Sequence, residues 1–367
     1  MKTKKVAIVS DIMMTFGGAE VVVLKLMEMY PNADFYTLFI SPGALKKIEG
    51  NFPKIRVRTS IFQRLIRGDK ISKYISIVKI FSWMYWEWLD LNEYDLILSS
   101  SHSYMSKNVK RKKEAKHLSY VHTPPRYLYD EFNEIFWIKN KPWSWFFWPL
   151  KKWLRYIDKK GSKRADIMVA NSENVAKRIK KYYQREVVVV YPPVEVLVDK
   201  KIIKKGEYYV CLSRLVRQKG IELAVDTCSK YKISLLVIGR GDELQRLRKM
   251  AGPSVEFIEK CDDRQKIEIL SGAKALIYTS KEEDFGMVPV EALKVGTPVI
   301  AYASGGVMET VKDKKNGVLF YKFNQNSLLT AIKLLDKLHI NRQSCIDSVR
   351  KYSDKNFKAQ INNLILR

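Results

Sequence analysis

Residues 280–292 read SKEEDFGMVPVEA, and this stretch guides the interpretation of the whole chain. It follows a short apolar run, and Pro289 is typical of the first turn of a helix, so a strand, a turn and a helix containing Glu291 are predicted. The backbone amides of 285–288 would then lie at a helix N-terminus, which favours an anion. Two carboxylates, Glu283 and Glu291, beside such a pocket indicate a ligand with hydroxyl groups as well as phosphate.

The same alternation of apolar runs and helical patterns extends through the chain on both sides of this stretch. Val6–Ser10 leads into a Gly17-Gly18 turn and a helical pattern, and a second series of strands begins after Lys205. Pro192-Pro193 breaks the chain between the two series. The predicted fold class is α/β, with two Rossmann-like domains built on parallel sheets. We expect a first domain at 1–195, a second at 196–342, and a C-terminal helix of about 343–367 that packs back on the first.

Composition excludes several classes of protein. The chain has 367 residues and a net charge of +27, and 46% of its residues are hydrophobic, which is ample for packed cores. Its four cysteines form no CxxC pair, so zinc fingers and disulfide scaffolds are not expected. The basic start is followed by too short an apolar run for a signal peptide, and no uncharged apolar stretch approaches the length of a membrane span. The composition is typical of a reduced, cytoplasmic protein.

Three smaller motifs are weak when taken singly. Arg214 and Lys219 flank a turn and would converge on a diphosphate, although a solvated basic loop is the simpler interpretation of that feature alone. Gly239 ends a predicted strand. A later Gly305-Gly306 pair is typical of an ordinary turn between a strand and a helix.

Taken together, these motifs resemble the retaining glycosyltransferases of family 4, whose GT-B architecture has two Rossmann-like domains facing a central cleft. The resemblance covers nearly the whole chain, and its most specific element is the spacing of Glu283 and Glu291. It implies that Glu291 binds the ribose, that Arg214 and Lys219 hold the diphosphate, and that no metal or cofactor takes part. The residues it assigns to donor binding are Gly17, Gly18, Arg214, Lys219, Gly239, Phe285, Gly286, Met287, Val288 and Glu291.

A narrower resemblance rests on YVHTPPRYLYD at 120–130, NSENVAKRI at 171–179 and VYPPV at 190–194. These segments are similar to the mannosyltransferases that build bacterial O-antigen and related polysaccharides. The resemblance implies GDP-mannose as donor and a glycan or polyprenyl-linked saccharide as acceptor, with His122 and Glu283 as catalytic residues. His102 is a weaker candidate. The alternatives are a UDP- or ADP-sugar donor, or another GT-B enzyme such as a sugar-nucleotide epimerase.

The surplus of positive charge is concentrated in the first half of the chain. Residues 105–185 contain 21 basic and 7 acidic residues, and within them 132–156 carries five of the eight tryptophans. No nucleic-acid-binding module accompanies this charge, so a nucleic-acid partner is not expected. The segment either packs into the first domain or lies at a membrane interface, with tryptophans at headgroup level and cations toward anionic lipid. We therefore expect a cytoplasmic protein associated peripherally with the inner face of the membrane.

Overall fold

The computed structural model describes residues 4–14, 16–66, 70–129, 147–196 and 206–367. The chain divides into two compact units, one formed by Met1–Pro193 with Phe357–Arg367 and the other by Val194–Asn356. Each unit is built on one parallel sheet, as predicted for the fold class. Among the described helices, none has the length and apolarity needed to cross a bilayer.

The first unit contains a seven-stranded sheet in the order β3-β2-β1-β4-β5-β6-β7. All neighbouring strands are parallel, and Ile8 of the first strand lies opposite Leu98 of the fourth. The strands are β1 (Val6–Ser10), β2 (Asp34–Thr37), β3 (Arg56–Thr59), β4 (Leu96–Ser101), β5 (Lys116–Val121), β6 (Ile167–Ala170) and β7 (Val188–Val189). The described helices are α1 (Gly18–Met29), α2 (Pro42–Asn51), α3 (Ile61–Leu65), α4 (Lys70–Trp88), α5 (Arg126–Tyr129), α6 (Phe147–Ser162) and α7 (Glu173–Tyr183).

Local sequence explains where several of these helices begin. The Ser41 hydroxyl accepts the amide of Ala44, and Pro42 occupies the first turn of α2, where its missing N–H is harmless. The Ser172 hydroxyl accepts the amide of Val175 in the same way, so part of the NSEN pattern is a helix cap. The buried faces of the helices cover both sides of the sheet, because strands such as β1 are buried along their whole length.

The second unit contains a six-stranded parallel sheet in the order β10-β9-β8-β11-β12-β13. Its strands are β8 (Tyr209–Leu212), β9 (Leu235–Ile238), β10 (Val255–Ile258), β11 (Ala275–Tyr278), β12 (Val299–Tyr302) and β13 (Gly317–Phe320). Its helices are α8 (Ile221–Lys230), α9 (Leu244–Met250), α10 (Asp263–Gly272), α11 (Met287–Lys294), α12 (Val307–Thr310), α13 (Gln325–Lys337) and α14 (Arg342–Ser348), followed by α15 (Asp354–Leu366), which ends in the first unit.

The C-terminal segment is helical, but it is not one helix. It divides into α14, a short 3₁₀ turn at Arg350–Tyr352, and α15. The side chains of Phe357 and Ile361 are fully buried in the core of the first unit, where the ring of Phe357 packs 5.9 Å from that of Tyr120. Apolar burial against the first sheet therefore holds the end of the chain.

Both sheets have the strand order of a Rossmann fold, counted from the start of each unit. The order reverses between β1 and β4 in the first sheet and between β8 and β11 in the second. Ligands of open parallel sheets bind outside the carboxyl ends of the strands at such a reversal. The residues that follow these four strands are therefore the place to look for a site.

Candidate functional site

The segments that follow β8 and β11 meet at the carboxyl edge of the second sheet. Oε2 of Glu283 accepts hydrogen bonds from Nζ of Lys219 at 2.6 Å, the hydroxyl of Tyr278 at 2.6 Å and the hydroxyl of Ser280 at 2.8 Å. The Thr279 hydroxyl also donates to the carbonyl of Lys219 at 2.9 Å, which ties the two segments together. Two residues that the sequence placed in separate motifs thus form one cluster.

The charge state of Glu283 follows from these partners. Burial opposes ionisation, but the Lys219 ammonium and the hydroxyls of Tyr278 and Ser280 outweigh it and lower the pKa of Glu283 to about 2. Burial and the neighbouring carboxylate raise the pKa of Tyr278 well above its usual value, so its hydroxyl stays a donor. At neutral pH, Glu283 is therefore an anion that can accept hydrogen bonds from sugar hydroxyls and cannot act as a general acid.

The Gly305-Gly306 pair holds the Glu283 segment in place. The amide of Gly306 donates to the carbonyl of Glu283 at 2.8 Å. A Cβ on Gly305 would lie 2.3 Å from that carbonyl oxygen, and one on Gly306 would lie 2.2 Å from the carbonyl oxygen of Asp284. The pair is thus a requirement of close backbone packing beside the site, which the sequence pattern alone did not reveal.

The helix α11 begins beside this cluster, as the position of Pro289 predicted. Gly286 is its N-cap residue, and the amides of Met287 and Val288 lie in its first turn, where no intrahelical partner exists. The buried ring of Phe285 packs edge to face on Tyr352 with centroids 5.2 Å apart. A buried aromatic anchor therefore fixes the turn that presents this helix N-terminus.

Glu291 lies in the second turn of α11 and has a partner that sequence reasoning missed. Nζ of Lys266 on α10 lies 3.3 Å from Glu291 Oε2 and 3.3 Å from Asp263 Oδ1. Burial raises the pKa of Glu291, and the Lys266 ammonium offsets this only in part. Although burial opposes its charge, the two carboxylates raise the pKa of Lys266. Glu291 is thus a half-buried acceptor whose orientation is fixed by a lysine.

Arg214 and Gly239 lie at the same edge of the sheet. Arg214 is exposed, and no ion pair of its guanidinium occurs within the described ranges. Gly239 has a φ of +148°, and a Cβ there would lie 1.9 Å from the carbonyl oxygen of Ser213. The amide of Leu215 donates to the carbonyl of Arg240 at 2.7 Å. The turn after β9 therefore packs directly against the segment that carries Arg214, and glycine permits that approach.

The remaining predicted residues lie in the first unit, at the carboxyl edge of its sheet. Gly17 is the N-cap of α1 and Gly18 is its first residue, and the carboxylate of Glu20 accepts the Gly17 amide at 3.0 Å. His122 follows β5, and its Nε2 lies 2.8 Å from the hydroxyl of Ser100. Burial, together with the positive charge of His102, lowers the pKa of His122 to about 3. His122 is thus a neutral imidazole at physiological pH.

Sequence reasoning missed Asp11, which follows β1 directly. Its buried carboxylate accepts four backbone amides from the segment after β4 and lies 3.0 Å from Nδ1 of His102. The rings of His102 and His122 lie 6.4 Å apart between centroids. A charged residue immediately after a buried first strand was the available signal, because a lone carboxylate there needs partners.

Two family models cover the chain almost end to end. The model described as Glycosyltransferase Family 4 matches residues 16–196, and the one described as Glycosyl transferases group 1 matches residues 195–352. The two matches overlap at residues 195–196, next to the division between the structural units at Pro193 and Val194.

Curated relatives and solved structures agree with this assignment. The alpha-1,3/1,6-mannosyltransferases ALG2 of Mus musculus and Homo sapiens are 27% identical over 293 residues, which covers 69% of this chain and 67% of each relative. Anabaena Alr3699/HepE in complex with UDP matches with a TM-score of 0.70 and 17% identity over 98% of this chain and 99% of that one. The lipopolysaccharide outer core galactosyltransferase WaaB matches with a TM-score of 0.68 and 18% identity over 99% of both chains. The structural matches establish the GT-B fold.

Proposed function

The chain belongs to the family 4 glycosyltransferases of GT-B fold, and we propose that it moves mannose from GDP-mannose to a hydroxyl of a glycan or lipid-linked saccharide with retention of anomeric configuration. The observation that carries the proposal is the cluster at the end of β8 and β11. There a carboxylate held ionised by Lys219 lies beside the N-terminus of α11. This arrangement suits a ligand that combines sugar hydroxyls with a diphosphate.

The donor roles follow from the chemistry of each group. Exposed Arg214 offers a planar fork to phosphate oxygens, and Lys219 offers a point charge. The amides at the start of α11 add a partial positive charge. These groups stabilise the negative charge that grows on the leaving diphosphate as the anomeric bond breaks. Glu283 accepts hydroxyls of the donor sugar, and half-buried Glu291 accepts those of the ribose.

Retention is proposed to occur by transfer on the front face of the sugar. A double displacement would need a carboxylate nucleophile, and Glu283, whose Oε2 already accepts three hydrogen bonds, is assigned here to binding the donor sugar. The acceptor hydroxyl instead attacks from the side of the departing diphosphate, which takes up the proton that the hydroxyl loses. The neutral imidazole of His122 accepts or donates a hydrogen bond at the transferred sugar.

Mannose is favoured over other hexoses by the ALG2 relatives, which are mannosyltransferases by name. A UDP-sugar donor is the main alternative, since a solved structure of the same fold holds UDP. We propose a role in cell-surface polysaccharide or lipopolysaccharide biosynthesis, where such acceptors occur.

A second part of the proposal is peripheral docking on an anionic membrane at the cytoplasmic face. Of the tryptophan-rich segment at 132–156, residues 132–146 lie outside the described residues, and the remainder is in α6. Two of its aromatic side chains, Trp148 and Tyr156, are each 64% exposed. Trp88 on α4 is 74% exposed. Aromatic side chains of this kind are enriched at the level of lipid headgroups.

These aromatics surround basic side chains. A pocket of about 300 Å³ is lined by Trp83, Trp88, Trp153 and Tyr156 together with Lys110 and Lys160, and also by Glu87 and Ile157. Trp83 and Trp153 pack edge to face with centroids 4.9 Å apart. A site in which aromatic rings lie beside ammonium groups is better suited to binding an anionic lipid headgroup than to binding an uncharged lipid surface. Trp83 and Trp88 on α4 were not part of the sequence prediction, because they lie outside the tryptophan-rich segment, 60 or more residues before Trp148.

Thermal-shift measurements with GDP-mannose, GDP, UDP, UDP-glucose and ADP-glucose test the donor proposal. A cognate ligand at 100 times its Kd should add about 2.7 kcal/mol of stability. Absence of a shift with every nucleotide would contradict a donor site, and a shift with UDP-sugars alone would replace the proposed donor. Incubation of labelled donor without acceptor then separates a transferase from an epimerase. An epimerised sugar nucleotide as product would contradict the transferase.

Sedimentation with liposomes tests the docking proposal. Phosphatidylglycerol vesicles should bind the protein at low salt, whereas phosphatidylcholine vesicles should not, because the attraction is to the headgroup charge. Trp88→Ala together with Trp148→Ala should weaken binding, and Tyr321→Ala offers an exposed aromatic of the second unit as control. Equal binding to both vesicle types would contradict docking by charge.

A further inference from the structure

Asp11 organises the segment that follows β4. Its Oδ2 accepts the amides of His102 at 2.7 Å, Ser103 at 2.8 Å and Tyr104 at 2.9 Å, and its Oδ1 accepts the amide of Ser106 at 2.8 Å. The carboxylate is almost fully buried, so each of these bonds replaces a lost contact with water. One side chain at the end of β1 thus determines the path of the chain at the end of β4.

The backbone in this segment adopts an unusual conformation. Met105 has a φ of +62°, in the left-handed region that a residue with a side chain seldom occupies. This turn lets successive amides point toward one centre, as they do in anion-binding nests. Asp11 is the anion at that centre, which explains why the conformation is stable without a glycine.

The same carboxylate fixes one nitrogen of His102. Nδ1 lies 3.0 Å from Asp11 Oδ2, and the Ser103 amide donates both to that oxygen and to Nδ1. When the ring is protonated, the Nδ1 proton is donated to Oδ2 and the Ser103 amide keeps its bond to Oδ2. No hydrogen bond to Nε2 occurs in the part of the chain that the structure describes, and the side chain is 26% exposed. Nε2 is therefore the nitrogen available to a ligand, at the edge of the sheet where His122 also lies.

We propose that Asp11 positions His102 so that Nε2 of His102 binds a phosphate group of a substrate at the carboxyl edge of the first sheet. The inference rests on the proposed function for the presence of phosphorylated substrates. The proposed contact lies in the first unit and is argued from the residues of that unit alone. The phosphate belongs either to the diphosphate of the donor or to a lipid-linked acceptor, and the two sources are distinguished below.

The charges around His102 support a cation at this position. Burial would lower its pKa, but the hydrogen bond and charge of Asp11, helped by Glu20 on α1, raise it above the usual value. Lys79 on α4 opposes this and is itself a second cation near the site. Tyr104 and His122 are the neighbouring rings, and His122 is neutral at physiological pH. An imidazolium donates two hydrogen bonds, one to Asp11 and one to a phosphate oxygen.

Calorimetric titration of three probes tests this site: GDP-mannose, farnesyl diphosphate and inorganic pyrophosphate. His102→Gln should lower the affinity for the phosphate ligand that uses the site by about tenfold or more, since a charge-assisted hydrogen bond is lost. His102→Lys keeps a cation and should restore most of the affinity. His339→Gln, an exposed histidine of the second unit, is the matched control and should change nothing.

The arms of the experiment separate the two sources of phosphate. If His102→Gln binds only GDP-mannose more weakly than the wild type does, the donor phosphate lies at His102. If it binds only farnesyl diphosphate more weakly, the acceptor phosphate lies there. Unchanged affinity of His102→Gln for all three probes overturns the proposal while leaving the transferase function intact. If the wild type binds none of the three probes, the proposal is overturned as well. The proposed function is tested separately by the thermal-shift measurements, where absence of a shift with every nucleotide would contradict it.

The pH dependence tests the positioning role of Asp11. The affinity of the wild type for the responding probe should fall as pH rises through the pKa of His102, because the imidazolium is lost. Asp11→Asn removes the charge that favours the cation, so this fall should move to lower pH. If the variant does not fold, His102→Lys supplies the test, since its affinity should persist to higher pH. If the affinity of His102→Lys falls at the same pH as that of the wild type, the assignment is overturned.

Discussion

The ammonium of Lys219 and the carboxylate of Glu283 form an ion pair at 2.6 Å across the carboxyl ends of β8 and β11. Both side chains are largely withdrawn from solvent, and Glu283 also accepts two hydroxyls. Lys219 is the residue proposed to hold the donor diphosphate. A bound diphosphate must therefore share this ammonium with Glu283, which couples the phosphate contact to the sugar contact.

Glu283→Gln should destabilise the protein, because Lys219 then loses its charged partner while the hydroxyl donors keep a weaker acceptor. A hydrogen bond to a charged group contributes about 1.5–3 kcal/mol, and we expect a decrease of that order in the free energy of unfolding in urea. Glu282→Gln, one residue earlier and exposed, should leave the unfolding free energy nearly unchanged. Equal stability of wild type and Glu283→Gln would contradict the ion pair.

The pH dependence of stability should report the same group. The pKa of Glu283 falls from 4.5 to about 2 on folding, so its contribution is present above pH 4.5 and is lost as pH falls toward 2. The free energy of unfolding of the wild type should therefore decrease more steeply between about pH 5 and 2 than that of Glu283→Gln, because this pH range spans the unfolded and folded pKa values. Parallel curves for the two proteins would refute the lowered pKa.

Gly305→Ala and Gly306→Ala should disturb the site without changing any of its polar groups. Each new Cβ would lie within 2.3 Å of a backbone oxygen in the Glu283 segment, so that segment must move. Overpacking of this kind costs about 1–3 kcal/mol, and affinity for the nucleotide sugar should fall with it. Gly43→Ala is the control, since nothing lies within 4 Å of its Cβ and alanine favours helix. Calorimetric affinity and urea unfolding measure both effects.

Glu291→Ala and His122→Ala should separate donor binding from turnover. Loss of Glu291 removes the proposed ribose acceptor and leaves Lys266 without one of its two carboxylates, so donor affinity should fall by about tenfold or more. His122→Ala should reduce kcat more than donor affinity, because the imidazole is proposed to contact the transferred sugar. Equal losses of donor affinity in the two variants would contradict these roles.

The buried ion pair between Lys107 and Asp158 should be important for the stability of the first unit. Both side chains are almost completely buried, and the Tyr129 hydroxyl donates to Asp158 at 3.0 Å. Lys107→Met leaves an unpaired buried carboxylate and should cost about 3–5 kcal/mol. Glu93→Gln, which breaks an exposed pair with Lys5, should cost less than about 1 kcal/mol. Similar unfolding free energies for both variants would contradict the difference in burial.

Much of the donor side could be predicted from local sequence because each motif occupies the end of one strand. Pro289 correctly indicated that Glu291 lies within a helix, and the alternating apolar runs correctly gave the α/β class. Lys266 and Tyr278 could not be predicted as partners. Lysine is common on helices, tyrosine is common in strands, and neither has a spacing that reveals what lies opposite.

The sequence by itself determined the fold class, the order of the strand ends and the identity of the charged residues placed there, because these depend on periodicity and local turn chemistry. Only the tertiary structure decided which charges are neutralised and which remain available. Asp11 and His102 are 91 residues apart, and Lys219 and Glu283 are 64 apart. These pairs meet because β1 neighbours β4 and β8 neighbours β11. Burial at those meeting points then sets each pKa, since a charge withdrawn from water depends on its nearest partners.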